Sequence, residues 1–243
     1  MVVEYKSFEV FPGWAAAPEF FANIFQQHNC TRVLEVGSGC RPTFSPDAVR
    51  SAGLSYVTSD RDPRELERTD PIFERRVLDL SSGDLDPASI DEFDCVFSRM
   101  VGEHVRDGGQ HHRNIYRMLA PGGISAHCFS TLYAVPFIIN RLLPDTLTGP
   151  LLEIFGPRGE GQGKFPAYYS WSRGPSPAMI RRFQQIGFEV LNYTGYFGHG
   201  YYRLRLGLLE PLEVAKAAFL VRHPAPLLCS YATLILRKPL DAN

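Results

Sequence analysis

The stretch Arg32-Val33-Leu34-Glu35-Val36-Gly37-Ser38-Gly39-Cys40-Arg41-Pro42 (RVLEVGSGCRP) decides how the rest of the chain is read. An apolar, β-branched run enters two closely spaced glycines, as a buried strand does when its backbone turns tightly to approach a nucleotide-like ligand. Alone, a G-x-G also suits an ordinary tight turn. The dinucleotide fingerprint needs a third glycine, and Pro42 stands in its place. A phosphate-cradling G-x-x-x-x-G-K-[ST] occurs nowhere in the chain.

Outward from this point, short apolar runs recur at 54–59, 74–80, 93–98 and 123–130, separated by more polar segments. That alternation predicts βαβ units. Residues 1–30 read as an opening loop and a helix near Pro18–His28. The run HHRNIYRMLAPGG predicts a helix stopped by Pro121-Gly122-Gly123. Ser176 as N-cap, Pro177 at the first helical position and Gly187 past the end delimit another. Two closing strands are expected at 188–197 and 227–238. The expected fold is therefore α/β and Rossmann-like: a mostly parallel seven-stranded sheet, helices on both faces, and a lid inserted after the fifth strand. One domain, 1–243, divides into a cofactor-binding core (31–130), a variable lid and acceptor region (131–187) and closing strands (188–243).

Composition narrows the class. The chain has 243 residues, 44% hydrophobic and 21% charged, which suits a folded globular protein. A net charge of -1 lacks the basic footprint of a nucleic-acid binder. Cys30, Cys40, Cys95, Cys128 and Cys229 form no CxxC pair, and read as buried free thiols in a reducing cytoplasm. No metal site, secretory leader or membrane span is expected. The segments 133–143 and 212–222 could be amphipathic; packing on the sheet is the plainer reading, with peripheral membrane contact left open.

Ligand-side positions follow the strands. Asp60 ends the second strand, 21 residues past Gly39, where a carboxylate accepts hydrogen bonds from ribose hydroxyls. Asp79-Leu80 follows the third strand, FDCVFSRMVGEHV contains the fourth, and RMLAPGG precedes the fifth. Taken in order, Glu35–Gly39 (E-x-G-x-G), Asp60, Asp79-Leu80, the FDxVFS…EHV segment and RMLAPGG resemble the class I S-adenosylmethionine-dependent methyltransferases. More closely, they resemble the group of ubiquinone-type and small-molecule enzymes. The resemblance covers about residues 31–130 and fades beyond Ser130. It implies S-adenosyl-L-methionine as cofactor, with Glu35, Gly37, Gly39, Asp60, Asp79, Leu80, Ser98 and Arg99 around it. Within that set, Gly37 and Gly39 would approach the methionine part, Asp60 the ribose, Asp79 the adenine, and Ser98–Arg99 the sulfonium.

Methyl transfer is an in-line displacement, which calls for positioning and, where the acceptor loses a proton, a base. His104, just after the fourth strand, and His199, in a Tyr-rich loop, are the candidate bases, although Glu103-His104-Val105 also reads as a cap that packs the next segment. His111-His112 reads as a solvated helix start, His127 as a satisfied core or pocket residue, and Arg41 as solvent-facing. Neither an Asn/Asp-Pro-Pro-aromatic run nor a Pro-Cys nucleophile appears. Asp94 sits at the start of its strand, away from a metal-dependent catechol arrangement. Aromatics at Phe165, Tyr168, Tyr169, Trp171, Tyr193, Tyr196, Tyr201 and Tyr202 suit ring acceptors such as phenols, sugars or isoprenoid head groups. The expected function is methyl transfer to a small-molecule or glycan acceptor, on oxygen. The alternatives are an NAD(P)-dependent oxidoreductase and a catalytically silent cofactor-binding interaction protein.

Overall fold

A computed structural model describes residues 1–83, 85–132, 166–200, 202 and 207–240. Its strands are β1 (Val2–Ser7), β2 (Arg32–Val36), β3 (Ser55–Asp60), β4 (Glu74–Val77), β5 (Phe93–Arg99), β6 (Leu119–Ser130), β7 (Glu189–Phe197) and β8 (Tyr231–Arg237). The helices are α1 (Ala17–Gln27), α2 (Pro46–Ala52), α3 (Pro63–Glu67), α4 (Gly108–Met118), α5 (Pro177–Ile186) and α6 (Glu210–Arg222).

All eight strands form one sheet in the order β1-β7-β8-β6-β5-β2-β3-β4. Only β8 runs antiparallel to its neighbours. Strand order reverses beside β2, which pairs in parallel with β3 on one side and β5 on the other. A ligand crevice therefore opens at the carboxyl ends of β2 and β5.

The α/β class stands as expected, with eight strands among the described residues in place of seven. The added strand is β1, read from sequence as loop; it pairs in parallel with β7 from Val2↔Asn192 to Ser7↔Phe197. It is an edge strand with no fully buried side chain and an ion pair between Lys6 and Glu4. Such edges carry charge rather than apolar alternation, so no hydrophobic period marked it.

Alternation along the inner strands builds two cores. Val33, Cys95 and Phe97 face α1 with Phe21 and Phe25. Leu34, Val36 and Val96 face the opposite side with Ile115 and Met118 of α4 and Met179 and Phe183 of α5. The α5 ends behave as the sequence indicated: the Ser176 hydroxyl accepts from Met179 N–H at 3.3 Å, and Gly187 takes φ +116°. α6 turns Ala217 and Leu220 inward and leaves Leu212 and Phe219 exposed. The other segment considered amphipathic, 133–143, lies outside the described residues. No helix among the described residues is long and apolar enough to cross a membrane. The five thiols are free, Cys40 half-buried and the other four buried.

Leu34→Ala, emptying a position with 0% exposure, is expected to lower unfolding free energy by about 2–5 kcal/mol. Val3→Ser on the edge strand is expected to change it by less than about 0.5 kcal/mol. Urea denaturation checks both; comparable losses at the two positions would contradict the assignment of core and edge.

Candidate functional site

The turn after β2 is held from several directions. Ser38 N–H donates to Ser59 O at 3.0 Å, and the Thr69 hydroxyl donates to Gly39 O at 3.0 Å. Gly39 N–H donates to Asp60 Oδ2 at 3.1 Å, while Asp60 Oδ1 accepts from Asp62 N–H at 2.9 Å. Each Asp60 oxygen therefore keeps a lone pair for another donor, and the side chain is half-buried at the crevice. Gly37 (φ +68°) and Gly39 (φ +55°) both lie in the left-handed region. A Cβ at Gly37 would come within 2.6 Å of Val101 Cγ2, so only glycine lets this turn press against the segment after β5.

Glu35 is placed differently from the direct cofactor contact assigned to it. Its carboxylate is buried and accepts from Thr43 N–H at 2.9 Å, from the Thr43 hydroxyl at 2.5 Å and from the Tyr56 hydroxyl. Burial pushes its pKa up, against the pull of those hydrogen bonds. The described contacts make it a clamp on the 37–43 turn.

At the far side of the crevice, Asp79 is exposed, with Oδ1 accepting from Ser81 N–H at 2.9 Å. Leu80 packs in the core. Asn114 of α4, fully buried, donates to Leu80 O at 3.1 Å and Ser82 O at 2.7 Å, fixing this turn. The sequence reading missed Asn114, whose one signal was an amide inside an apolar helical stripe.

Ser98 and Arg99 close β5. The Ser98 hydroxyl pairs with His127 Nδ1 at 2.7 Å, and Ser125 with His127 Nε2 at 2.6 Å, so a neutral imidazole is satisfied on both sides. His127 is thus the satisfied residue expected. His111 and His112 are not solvated as expected; they are 4% and 8% exposed. Asp107 caps α4 through Gln110 N–H at 2.9 Å, and the first turn of α4 then packs inward against β6 and Trp171. Burial lowers their pKa values, to about 4 for His111 and about 3 for His127, with His112 also far below its ordinary value. These three rings line a small cavity with Ser98, Trp171 and Ser172. Among the described residues no group of three or more His, Cys, Asp or Glu is arranged to hold a metal ion.

The two histidines considered as bases lie apart. His104 is half-buried beside the crevice, its Nδ1 2.9 Å from Pro166 O. His199 is fully buried after β7, with Nε2 3.6 Å from Glu213 Oε1 of α6. Two strands, β8 and β6, separate β7 from β5. That places β7 about 14 Å across the sheet from β5, so His199 belongs to the α6 interface and the structure does not bring it to the β2–β5 crevice. Of the aromatics, Tyr193 and Tyr196 are core, Tyr169 is buried, Tyr168 is 38% exposed, and Trp171 is half-buried. Phe165 and Tyr201 lie outside the described residues. Arg41 faces solvent, as expected.

With this geometry in view, the likeness to known proteins is specific. Residues 34–126 match the model of the methyltransferase domain family. The chain is 31% identical over 107 residues to an uncharacterised methyltransferase of Mycobacterium bovis, covering 43% of this chain and 41% of that one. A counterpart from Mycolicibacterium vanbaalenii is 29% identical with the same coverage. The chain thus spans about two fifths of the length of the curated relatives it matches. Among solved structures, an S-adenosylmethionine-dependent methyltransferase from Archaeoglobus fulgidus superposes with TM-score 0.53 at 12% identity, covering 95% of this chain and 99% of that one. The [4+2]-cyclase SpnF gives 0.55 at 15%, covering 93% and 82%. Phosphoethanolamine N-methyltransferase 2 of Haemonchus contortus, solved with S-adenosyl-L-methionine, gives 0.51 at 15%, covering 91% and 52%. The likeness to class I S-adenosylmethionine-dependent methyltransferases drawn from the motifs holds for the core segment and for the fold.

The depressed histidine values set a sign for pH. An imidazole buried neutral contributes stability that is complete above its unfolded pKa, about 6.5. That contribution is withdrawn as pH falls from there toward the folded values. In ¹⁵N-resolved imidazole spectra at pH 5.5, His111, His112 and His127 are expected to remain neutral. A charged signature from any of them in the folded protein would contradict this packing.

Proposed function

We propose that the protein transfers a methyl group from S-adenosyl-L-methionine to a small molecule carrying a ring hydroxyl. The observation that carries the cofactor reading is the Asp60 carboxylate, oriented by Gly39 N–H and Asp62 N–H at the tip of β3 with acceptor capacity remaining. In this reading Asp60 receives the ribose hydroxyls and Asp79 faces the adenine edge. Gly37 and Gly39 leave room for the methionine part, and Ser98 and Arg99 flank the sulfonium. The bound group would supply an electrophilic methyl carbon. The chain's own task is to orient the acceptor, exclude water and receive a proton.

The nicotinamide alternative is less well supported by the turn. Helix α2 begins only at Pro46, capped by Ser45, so the two glycines do not lead directly into a helix N-terminus that would hold a pyrophosphate. Residues 131–187 are taken as the acceptor region, within which Tyr168 and Trp171 offer aromatic surface to a ring-bearing acceptor. Oxygen is favoured because the buried Glu103 carries, on its backbone carbonyl, the N–H groups of Tyr168 and Tyr169, and a hydroxyl must lose its proton on methylation.

Asp60→Ala is expected to weaken S-adenosylmethionine binding by about 1.5–3 kcal/mol, roughly ten- to more than a hundredfold, through loss of charge-assisted hydrogen bonds. Isothermal titration with S-adenosylmethionine and, separately, NAD checks it. An unchanged dissociation constant would remove Asp60 from the site, and binding of NAD alone would overturn the function.

A further inference from the structure

Glu103 lies in the one-turn 3-10 segment Gly102–His104 directly after β5, and it is 3% exposed. Its Oε1 accepts from the Ser130 hydroxyl at 3.0 Å, at the carboxyl end of β6. Its Oε2 is buried and has no hydrogen-bond partner among the described residues. A buried carboxylate oxygen left without a donor costs about 1–3 kcal/mol or more, and such a group in a native fold calls for a reason.

Its surroundings supply one. Val101, two residues before Glu103, is the side chain that a Cβ at Gly37 would strike, so this turn adjoins the glycine loop. Glu103 O accepts from both Tyr168 N–H (2.8 Å) and Tyr169 N–H (3.0 Å), tying the aromatic segment to the same turn. Met100 (φ +56°) and Tyr169 (φ +50°) are bulky residues in the left-handed region, a conformation that persists only where the surroundings enforce it. One donates its N–H to Cys128 O at 2.7 Å, the other to Glu103 O. Local backbone energy is thus spent on holding one buried carboxylate beside the crevice.

Resting on the methyltransferase reading, we propose that Glu103 Oε2 is the group to which the acceptor's ring hydroxyl donates and which takes its proton. In the step, a lone pair on the hydroxyl oxygen forms the new O–C bond as the methyl C–S bond breaks. The pair from that bond stays on sulfur, and the hydroxyl proton passes to Oε2. Burial holds the Glu103 carboxyl above its ordinary value, against the opposing pull of His104, of the Ser130 hydroxyl and of the Glu103 and Ser130 backbone N–H groups, which brings its basicity nearer to what a phenol requires. Ser130 fixes Oε1 and so aims the free oxygen. His104, one of the two histidines considered as bases, has its Nδ1 2.9 Å from Pro166 O.

The test uses the full chain and S-adenosylhomocysteine, then ¹⁴C-methyl transfer from S-adenosylmethionine to phenol, catechol, 4-hydroxybenzoate and 4-nitrophenol. Glu103→Gln is expected to bind S-adenosylhomocysteine within twofold of the wild type. It should lower kcat on phenol and the other weakly acidic acceptors about a hundredfold or more, with KM little changed. On 4-nitrophenol, already ionised at pH 8, the loss should be below tenfold, and Glu103→Asp should recover part of the phenol rate. Equal losses on ionised and un-ionised acceptors, or no loss on either, would overturn the role. So would a wild type that binds S-adenosylhomocysteine yet methylates none of the four. A wild type that fails to bind S-adenosylhomocysteine would instead overturn the methyltransferase reading beneath it.

Discussion

The turn that makes the crevice depends on a carboxylate that water does not reach. Glu35 sits in the central strand with its oxygens on Thr43 N–H, the Thr43 hydroxyl and the Tyr56 hydroxyl. Burying a carboxylate is unfavourable unless its lone pairs are met by donors. Here the donors come from the far end of the loop and from the neighbouring strand, so the cost can be offset only when residues 37–43 are folded back over β2. Asp60 then fixes the same turn from the other side through Gly39 N–H. With both ends pinned, the backbone is arranged before any ligand arrives, and little conformational entropy remains to be lost on binding.

From that fixed turn the two halves of the crevice differ in chemistry. Toward β3 and β4, the half-buried Asp60 and the exposed Asp79 keep unused lone pairs. Toward β5 and β6, the polar groups are buried and mostly satisfied: His127 between two serines, Ser130 on Glu103, and the buried His111 and His112 of α4 packed beside them. Burial makes these imidazoles weak bases, since their pKa values lie well below the ordinary histidine value. Glu103 Oε2, buried without a hydrogen-bond partner among the described residues, therefore stands out on this side of the crevice.

Much of this was legible in the chain. The inner strands announced themselves because both faces are buried, as in Arg32–Val36, and the α5 boundaries because Ser176, Pro177 and Gly187 each have a local backbone reason. The edge strand β1 was not legible, since its pairing partner lies nearly the whole chain away and none of its side chains is fully buried. The glycine turn after Arg32–Val36 was also legible, and it lies where the strand order reverses. The inward turn of His111 and His112 could not be read, because Asp107, Gln110 and two histidines look polar until β6 and Trp171 are packed against them. Glu103 was read as a cap for the same reason: only the fold brings Ser130 to one of its oxygens and leaves the other bare. His199 drew attention through its flanking glycines and tyrosines, yet Glu213 of α6 accounts for its place.

The most direct measurement is a crystal structure of the chain with S-adenosylhomocysteine at millimolar concentration. The account requires both ribose hydroxyls within hydrogen-bond distance of Asp60, the sulfur over the carboxyl end of β5, and an open path from it to Glu103 Oε2. A nucleoside bound elsewhere, or a vacant crevice with Asp60 facing only solvent, would contradict it.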